Sequence, residues 1–478
     1  MPITEIAGPK VDERRAQGRM ARERVATSSS RPWEPAFDRP DPIALLEEQN
    51  LTRDADLVPV RHGRMMTSAF TFYRGAAKIM ATDLANTVTA GLNVQLCGDA
   101  HLSNFGVYAS PERVLMFDLN DFDETLPGPF EYDVRRLSAS FTIAAHNNGF
   151  TASDVRSVTL ASVTAYREAM AQFATMGVLE VYYAHLAEQD LANATSAAAT
   201  AARKSKERAE AKKALKNARK SIAKAHTRDS LQALSKLGEL VDGRYQIVSQ
   251  PPTIVPSRDL DRYYGIPAEN FDEIVQEEFR AYRATLQFDR RQLLERYEVV
   301  DFARKVVGVG SVGTRAFIVL LRGRDERDPL FLQLKEATAS VLENHLPASQ
   351  FDQPGERVVQ GQRMMQAASD IFLGWTKGVE ANRFLYWRQL RDMKGSAIVE
   401  AMTPLGMRFY AGLCGWTLAR AHARSGDAVA IAEYLGTTDS FDRWIVAESE
   451  RYAAQNDHDY QAFLEAIGSG RLQAIQGI

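Results

Sequence analysis

Hydrophobic and polar residues recur along the chain in two different periods, which separate helical regions from a strand-rich one. Apolar residues return at helical spacing through residues 134–192, 267–297, 402–424 and 440–466, and each of these ranges predicts helix. Three shorter runs rich in β-branched, aromatic and aliphatic residues, 114–117, 314–321 and 383–390, are typical of strands. The pattern therefore predicts an α+β protein.

The same pattern divides the chain into four regions. Residues 1–40 are polar and end in a segment rich in Ser and Pro, which predicts a flexible N-terminal arm. We expect a mostly helical region over residues 41–300 and a small β-rich region over residues 301–395. The last region, residues 396–478, is predicted to be helical and to pack on the first helical region.

Composition narrows the classes of protein that the chain can represent. The 478 residues leave room for two or three domains, and 45% hydrophobic with 25% charged residues is ordinary for a globular protein. A net charge of −3 does not favour a nucleic-acid partner, and the basic residues 194–226 lack interleaved aromatic residues, so they predict a solvated helix. Only Cys97 and Cys414 occur, which argues against a disulfide framework or a cysteine zinc site. With no secretory pattern and no long apolar run, we expect a cytoplasmic protein without a membrane partner.

The densest group of candidate site residues lies between Cys97 and Leu137. Asp99 and Asn104 share one predicted loop, and Asp121 follows the predicted strand in an acidic cluster. Neighbouring carboxylates repel each other unless a cation offsets their charge. Carboxylate and amide oxygens are the ligands that Mg²⁺ prefers, and phosphoryl transfer needs such a metal beside an Asp for the acceptor hydroxyl.

These residues carry a resemblance to a known family. Gly98-Asp99-x-His101-x-x-Asn104 resembles the catalytic loop of the aminoglycoside and choline kinase branch of the protein-kinase-like superfamily. Asp121-Phe122-Asp123, followed by Gly128-Pro129 and Tyr132-Asp133, resembles the metal-binding segment of that branch. As a whole, the chain is similar to the bacterial domain-of-unknown-function 2252 family, whose name implies no activity.

The resemblance implies a role for each matching residue. Asp99 would be the catalytic Asp, Asn104 and Asp121 would be Mg²⁺ ligands, and Asp133 would brace the loop. Cys97 stands where the kinase branch usually has a His two residues before the catalytic Asp.

A second group of candidate residues, Gly308, Gly310 and Gly313, is followed by a predicted strand. The spacing G-x-G-x-x-G occurs in two nucleotide-binding folds, and the next element distinguishes them. A Rossmann turn opens into a helix, whereas a kinase glycine-rich loop joins two strands and covers phosphates with its backbone amides. Asp325, near the distance of a ribose-binding acid, favours the Rossmann alternative, but no helix fits between.

Lys335 ends the next predicted strand and resembles the kinase Lys that pairs with the α- and β-phosphates. That Lys normally pairs with a Glu, and Glu336, Glu343 and Glu356 are candidates. Glu356 is preferred because it opens a predicted helix.

Two further residues, Arg64 and Arg74, suggest phosphate binding, although arginines near helix starts are more often salt-bridged surface groups.

The order of the two groups is reversed relative to ordinary kinases, because the glycines and Lys335 follow the catalytic loop. A circular permutation with a cut before the catalytic loop would restore the arrangement in space. The predicted fold is therefore α+β, a circularly permuted protein-kinase-like two-lobed fold with additional helices.

The leading hypothesis is an ATP- and Mg²⁺-dependent phosphotransferase that acts on an unknown hydroxyl-bearing acceptor, a small molecule or a protein. Transfer of AMP from a flipped ATP, and a nucleotide-binding pseudokinase with a regulatory role, remain alternatives. A metal-dependent hydrolase built on His101 and the acidic cluster ranks last, because it leaves the glycines and Lys335 unexplained.

Overall fold

A computed structural model gives the fold of residues 9–25, 33–193, 216, 220, 222–265, 268–378, 383–390 and 392–478, with the backbone alone described at 268–272. Helices and strands both contribute, as an α+β protein requires. The helices with their bounds are Val11–Arg24, Pro42–Asn50, Val58–Met65, Ala69–Gly75, Ala77–Ala85, Glu131–Asn147, Ala152–Phe173, Val178–Tyr183, Ser230–Leu237, Asp261–Tyr264, Ala268–Ala284, Phe288–Leu294, Pro354–Met365, Pro404–Ser425, Ala428–Leu435 and Ser440–Gly468.

The strands form a large sheet and several small ones. In chain order they are β1 (Asn93–Leu96), β2 (Phe105–Ala109), β3 (Leu115–Leu119), β4 (Leu126–Pro129), β5 (Leu186–Ala187), β6 (Gly238–Val241), β7 (Arg244–Ile247), β8 (Ile254–Pro256), β9 (Glu298–Lys305), β10 (Ala316–Arg322), β11 (Pro329–Glu336), β12 (Gly374–Lys377), β13 (Phe384–Gln389) and β14 (Gly395–Ser396). The large sheet has the order β12-β13-β11-β10-β9-β8, a four-stranded sheet has the order β14-β2-β3-β5, and β1 pairs with β4 while β6 pairs with β7.

The glycine-rich loop, residues 306–315, joins β9 to β10 in the large sheet. These strands are antiparallel, with Phe317 opposite Arg304. A strand follows the glycines because Ala316–Arg322 is a run of aliphatic and aromatic residues, so the predicted strand is confirmed and a Rossmann turn is excluded at this position. In the next pairing, Ala316 lies opposite Lys335. The register therefore places Lys335 beside the end of the loop.

The largest core surrounds three long helices, Glu131–Asn147, Ala152–Phe173 and Pro404–Ser425. The first of these is buried from Glu131 through Ala145, which explains why its charged residues must find partners inside the protein. Gly415 faces the backbone of Ser162 so closely that a Cβ atom would overlap its carbonyl oxygen. This close approach fixes two helices that support the loop containing Asp99.

The N-terminal arm corrects one prediction, because residues 11–24 form a helix within the range expected to be flexible. Ala21 and Val25 belong to the main core, and Gly18 lies against the carbonyl of Ala430 on helix Ala428–Leu435. The polar composition concealed this helix because only a narrow stripe of small residues is buried.

Two other helix predictions differ in their bounds. The helix expected over residues 267–297 is two helices, which end and begin on either side of residues 285–287. The helix expected to open at Glu356 begins two residues earlier, with Pro354 in its first turn. Most of the basic range 194–226 lies outside the described residues. Within the described part of the chain, no helix combines the length and apolar character needed to cross a bilayer.

Candidate functional site

Asp133 holds the loop of residues 97–104 in place. Its carboxylate accepts hydrogen bonds from the backbone N–H of Cys97 at 2.6 Å and of Gly98 at 3.0 Å. Gly98 has a φ of +83°, and a Cβ atom there would overlap the backbone carbonyl of Glu124. The loop therefore needs glycine at this position, and it is fixed against both a buried helix and the acidic segment.

His422 and Cys97 complete the support of this loop. The Nε2 atom of His422 lies 3.2 Å from Asp133, and its Nδ1 atom lies 2.9 Å from the hydroxyl of Tyr166. His422 is thus a buried hydrogen-bonding residue in the last turn of helix Pro404–Ser425. The Sγ atom of Cys97 lies 3.2 Å from the carbonyl oxygen of Asp121, so the loop also contacts the acidic segment directly.

Asp99 is held by an arginine that the sequence did not identify. Arg136 donates from Nε to Asp99 at 2.8 Å, and its guanidinium stacks over the ring of Tyr73. Burial raises the pKa of Asp99 to about 7, because desolvation and the nearby carboxylates outweigh the opposing effect of Arg136. Asn104 donates its side-chain amide to the carbonyl oxygen of Asp99 at 2.7 Å. The oxygen of that amide is the atom that a cation would use.

Lys335 lies against the acidic segment although the two are far apart in sequence. Its Nζ atom is 2.6 Å from Asp123 and 3.3 Å from Asp121. The lysine side chain is 2% exposed, while the carboxylates are 31% exposed at Asp121 and 29% exposed at Asp123. The ammonium is therefore buried, and each carboxylate keeps an accessible side.

Lys335 and Asp123 stabilise each other's charged forms. Burial opposes the charged form of Asp123, but the ammonium of Lys335 and the hydroxyl of Tyr386, 2.6 Å from Asp123, have the larger effect and lower the pKa of this carboxyl. The pKa of Lys335 is raised because the carboxylates outweigh its burial. Asp123 is ionised and Lys335 protonated at neutral pH.

The glycine-rich loop approaches the same carboxylates. The hydroxyl of Ser311 lies 3.4 Å from Asp123, and Gly308 and Gly313 have φ values of +68° and +89°. The structure thus brings together the glycines, Lys335 and Asp121, and it connects them to Asp99 through the 97–104 loop.

Glu356 does not contact Lys335 through any hydrogen bond or ion pair within the described residues; its carboxylate faces Gln360 at 3.5 Å. The same helix instead directs Arg357 inward, where its guanidinium donates to the carbonyl oxygens of Asp123 and Thr125. A role for Glu356 in nucleotide binding stays a prediction.

Sequence reasoning missed Asp123 as the nearest partner of Lys335, and it missed Arg136 and Tyr386. Asp123 was visible in the Asp-Phe-Asp segment, and Arg136 lies three residues after Asp133 on the same helix, so both had a local signal. Tyr386 had none, because it comes from β13, the strand that neighbours Lys335 in the sheet.

The donor atoms fit a magnesium ion that is also bound by phosphates. No group of three or more His, Cys, Asp or Glu side chains is arranged to hold a metal among the residues that the structure describes. Mg²⁺ is commonly bound through one or two protein carboxylates, with phosphate and water oxygens completing its shell. Asp121, which is partly exposed, and the amide oxygen of Asn104 are donors of the kind that such a site uses.

Fold and site together define an α+β protein in which a buried lysine, paired carboxylates and a glycine-rich loop meet. A family model described as "Uncharacterized protein conserved in bacteria (DUF2252)" matches residues 53–466, and the chain belongs to this family. No curated protein and no solved structure matches the chain. The matched range contains every candidate site residue described above.

Proposed function

We propose that the protein is an ATP- and Mg²⁺-dependent phosphotransferase with a circularly permuted protein-kinase-like site, acting on a hydroxyl-bearing acceptor. The contact of Lys335 with Asp123 and Asp121 carries the proposal. These residues are separated by 212 and 214 positions in sequence, yet they are in contact, and the proposal needs this lysine and the metal-binding aspartate to be close.

The position of helix Pro404–Ser425 supports the permutation. Its last residue, Ser425, accepts a hydrogen bond from the backbone N–H of Gln95 at 3.1 Å, and Gln95 lies in β1 just before the 97–104 loop. The end of this helix therefore lies beside the strand that leads into the loop, as the permuted order requires.

Each residue has a defined task in this proposal. The backbone amides of the glycine-rich loop would cover the phosphates, and Lys335 would offset their charge. Asp121 and Asn104 would hold Mg²⁺, which would supply positive charge that stabilises the phosphoryl group during transfer. Catalysis of this kind consists mainly of positioning and electrostatic stabilisation.

Asp99 would accept the proton of the acceptor hydroxyl. The acceptor oxygen forms a bond to the γ-phosphorus, the bond from that phosphorus to the β,γ-bridging oxygen breaks, and ADP leaves with the electron pair. A pKa of about 7 suits this task, because a base works best when its pKa is near the working pH. Arg136 fixes the orientation of the carboxylate.

The replacement Asp121→Ala tests the proposal. We expect wild type to gain thermal stability with Mg-ATP, by about 2.7 kcal/mol when ATP is at a hundred times its Kd, and the variant to lose this gain while remaining folded. Thermal unfolding with ATP plus Mg²⁺, with ATP plus EDTA and without nucleotide measures it. Asp352→Ala, at an exposed position, is the matched control.

The outcomes separate the alternatives. An Asp121→Ala protein with unchanged Mg-ATP stabilisation would overturn the metal assignment. Mass spectrometry of candidate acceptors distinguishes a gain of phosphate from a gain of AMP. Nucleotide binding without turnover over many acceptors would favour a regulatory pseudokinase.

A further inference from the structure

Four arginines between residues 53 and 74 surround the glycine-rich loop, and we call them the arginine group. Its members are Arg53, Arg61, Arg64 and Arg74. None of them forms an ion pair with an Asp or Glu side chain among the residues that the structure describes, and Arg64 donates from Nε to the main-chain oxygen of Ile478 at 3.1 Å. Burial lowers the pKa of all four, which is the expected effect of desolvation on cations that lack a close anion. The ion pairs with Asp or Glu that the sequence favoured for Arg64 and Arg74 are therefore not formed among the described residues, and both arginines are partly exposed.

The group contacts both sides of the loop and its centre. Arg53 donates to the carbonyl oxygen of Val312 at 2.5 Å, and Arg64 donates to that of Gly308 at 2.6 Å. The backbone oxygen of Arg74 lies 3.0 Å from the position that a Cβ atom on Gly310 would take. These contacts place the group at the part of the loop that would meet phosphates.

Arg61 is fully buried and donates to neutral acceptors through its two terminal nitrogen atoms, while its Nε atom has no hydrogen-bond partner in the described part of the protein. It donates to the side chains of Asn50 and Gln49 and to the backbone oxygen of Gly75. We regard it as a structural residue that orders the segment carrying the others.

Arg53 and Arg74 combine a spare donor with an electrostatic interaction with carboxylates of the site. Each has a buried Nε atom with no hydrogen-bond partner in the described part of the protein. Arg53 interacts electrostatically with Glu124 and Asp123, next to Lys335, whereas Arg74 interacts with Asp99. Arg53 is therefore near the lysine–carboxylate cluster, and Arg74 is near Asp99.

We infer that Arg53 and Arg74 bind the terminal phosphate of the nucleotide, the group that is transferred. This inference rests on the proposed function. If Asp99 takes the proton of the acceptor hydroxyl, the γ-phosphate must lie between Asp99 and Asp121, the proposed metal ligand. A guanidinium matches phosphate oxygens with paired donors, and an arginine at this place stabilises the charge of the transition state.

The test compares ATP with ADP, since only ATP carries the terminal phosphate. Dissociation constants for Mg-ATP and Mg-ADP are measured by calorimetry on the full chain of wild type, Arg53→Gln and Arg74→Gln. We expect each variant to lose about tenfold or more in ATP affinity, as for a charged hydrogen bond, with ADP affinity nearly unchanged. Arg324→Gln is the matched control, because this arginine is 81% exposed in the turn between β10 and β11.

Two further variants guard against a purely structural effect. Arg53→Lys and Arg74→Lys keep the positive charge and should recover part of the preference for ATP. Circular dichroism and the unfolding midpoint without nucleotide report whether each variant folds.

The possible results distinguish a failure of this inference from a failure of the proposed function. Equal losses for ATP and ADP, or no loss for either, would overturn the inference and leave the proposed function standing. Wild-type protein that binds neither nucleotide would overturn both.

Discussion

Two opposing effects determine the pKa of the Asp99 carboxyl. Arg136 favours its charged form, while burial and the nearby Asp121 and Glu124 favour the protonated form and prevail, raising the pKa to about 7. The folded protein therefore holds this proton up to about pH 7, whereas an unfolded chain releases it near 3.8.

The first prediction concerns stability and pH. Because the folded state binds the proton more tightly, the contribution of Asp99 to the free energy of unfolding falls as pH rises from about 4 to about 7. Asp99→Asn lacks this titration. The unfolding midpoint of wild type should therefore fall relative to that of the variant as pH rises through that window, and the difference should be constant above it. Thermal unfolding from pH 4.5 to 8 measures it, with Asp352→Asn as control. Parallel curves for wild type and Asp99→Asn would contradict the shifted pKa.

Residues on one loop or one strand could be grouped from the sequence, but their long-range partners could not. Asp99 and Asn104 were placed together because a short loop keeps them close. Tyr386 was missed because it comes from a neighbouring strand of the sheet, and spacing along the chain does not show which distant side chain the fold brings to a carboxylate.

At the scale of elements, the glycine-rich loop was the feature best determined by local sequence. Aliphatic and aromatic residues on the β10 side of the glycines specify a strand there, and the antiparallel register then brings Lys335 to the loop. What covers the loop was not predictable, since the arginine group comes from a segment more than two hundred residues earlier.

Gly313 provides a test of this element. Its φ of +89° is unfavourable for other residues, and a Cβ atom would lie 3.1 Å from that of Arg53. We expect Gly313→Ala to lower the free energy of unfolding by about 1–3 kcal/mol, measured by urea denaturation. Gly412→Ala is the matched control, because it lies in helix Pro404–Ser425 with open space around it and should be neutral or stabilising. Equal effects at the two positions would contradict the strained conformation.

Element boundaries were less predictable than element types. The break between helices Ala268–Ala284 and Phe288–Leu294 has no proline or glycine at residues 285–287, so periodicity alone continued through it. The N-terminal helix Val11–Arg24 was missed for a different reason, since its partner is a helix more than four hundred residues away.

For the molecule as a whole, Arg39 connects the two ends of the chain. It donates to Asp83 at 2.6 Å and to Asp459 at 2.6 Å, and its side chain is 11% exposed. Burial raises the pKa of Asp83 despite this arginine, which indicates how costly the pair of carboxylates would be without it.

Arg39→Met should therefore destabilise the protein by about 3–5 kcal/mol, because two buried carboxylates lose their shared cation. Urea denaturation at pH 7 measures the loss, and lower pH should reduce it, since protonation of Asp83 removes its charge. Arg443→Met serves as control, as that arginine is 70% exposed and its ion pair with Asp439 contributes about 0.5 kcal/mol or less. A similar stability for both variants would contradict the network.

The α+β class followed from the sequence because helical and strand periods occupy separate stretches. The permuted kinase-like arrangement stays a prediction, carried by the meeting of residues from both halves. The motifs predicted that meeting, and the large sheet, with β11 between β10 and β13, adds Tyr386 beside Lys335.

The distance along the chain between Asp123 and Lys335 has a consequence for biosynthesis. During synthesis, Asp121 and Asp123 leave the ribosome long before Lys335. For much of its synthesis the nascent chain therefore has these carboxylates without the lysine that offsets their charge. The cluster of Lys335 with Asp121 and Asp123 can therefore assemble only after residue 335 has left the exit tunnel.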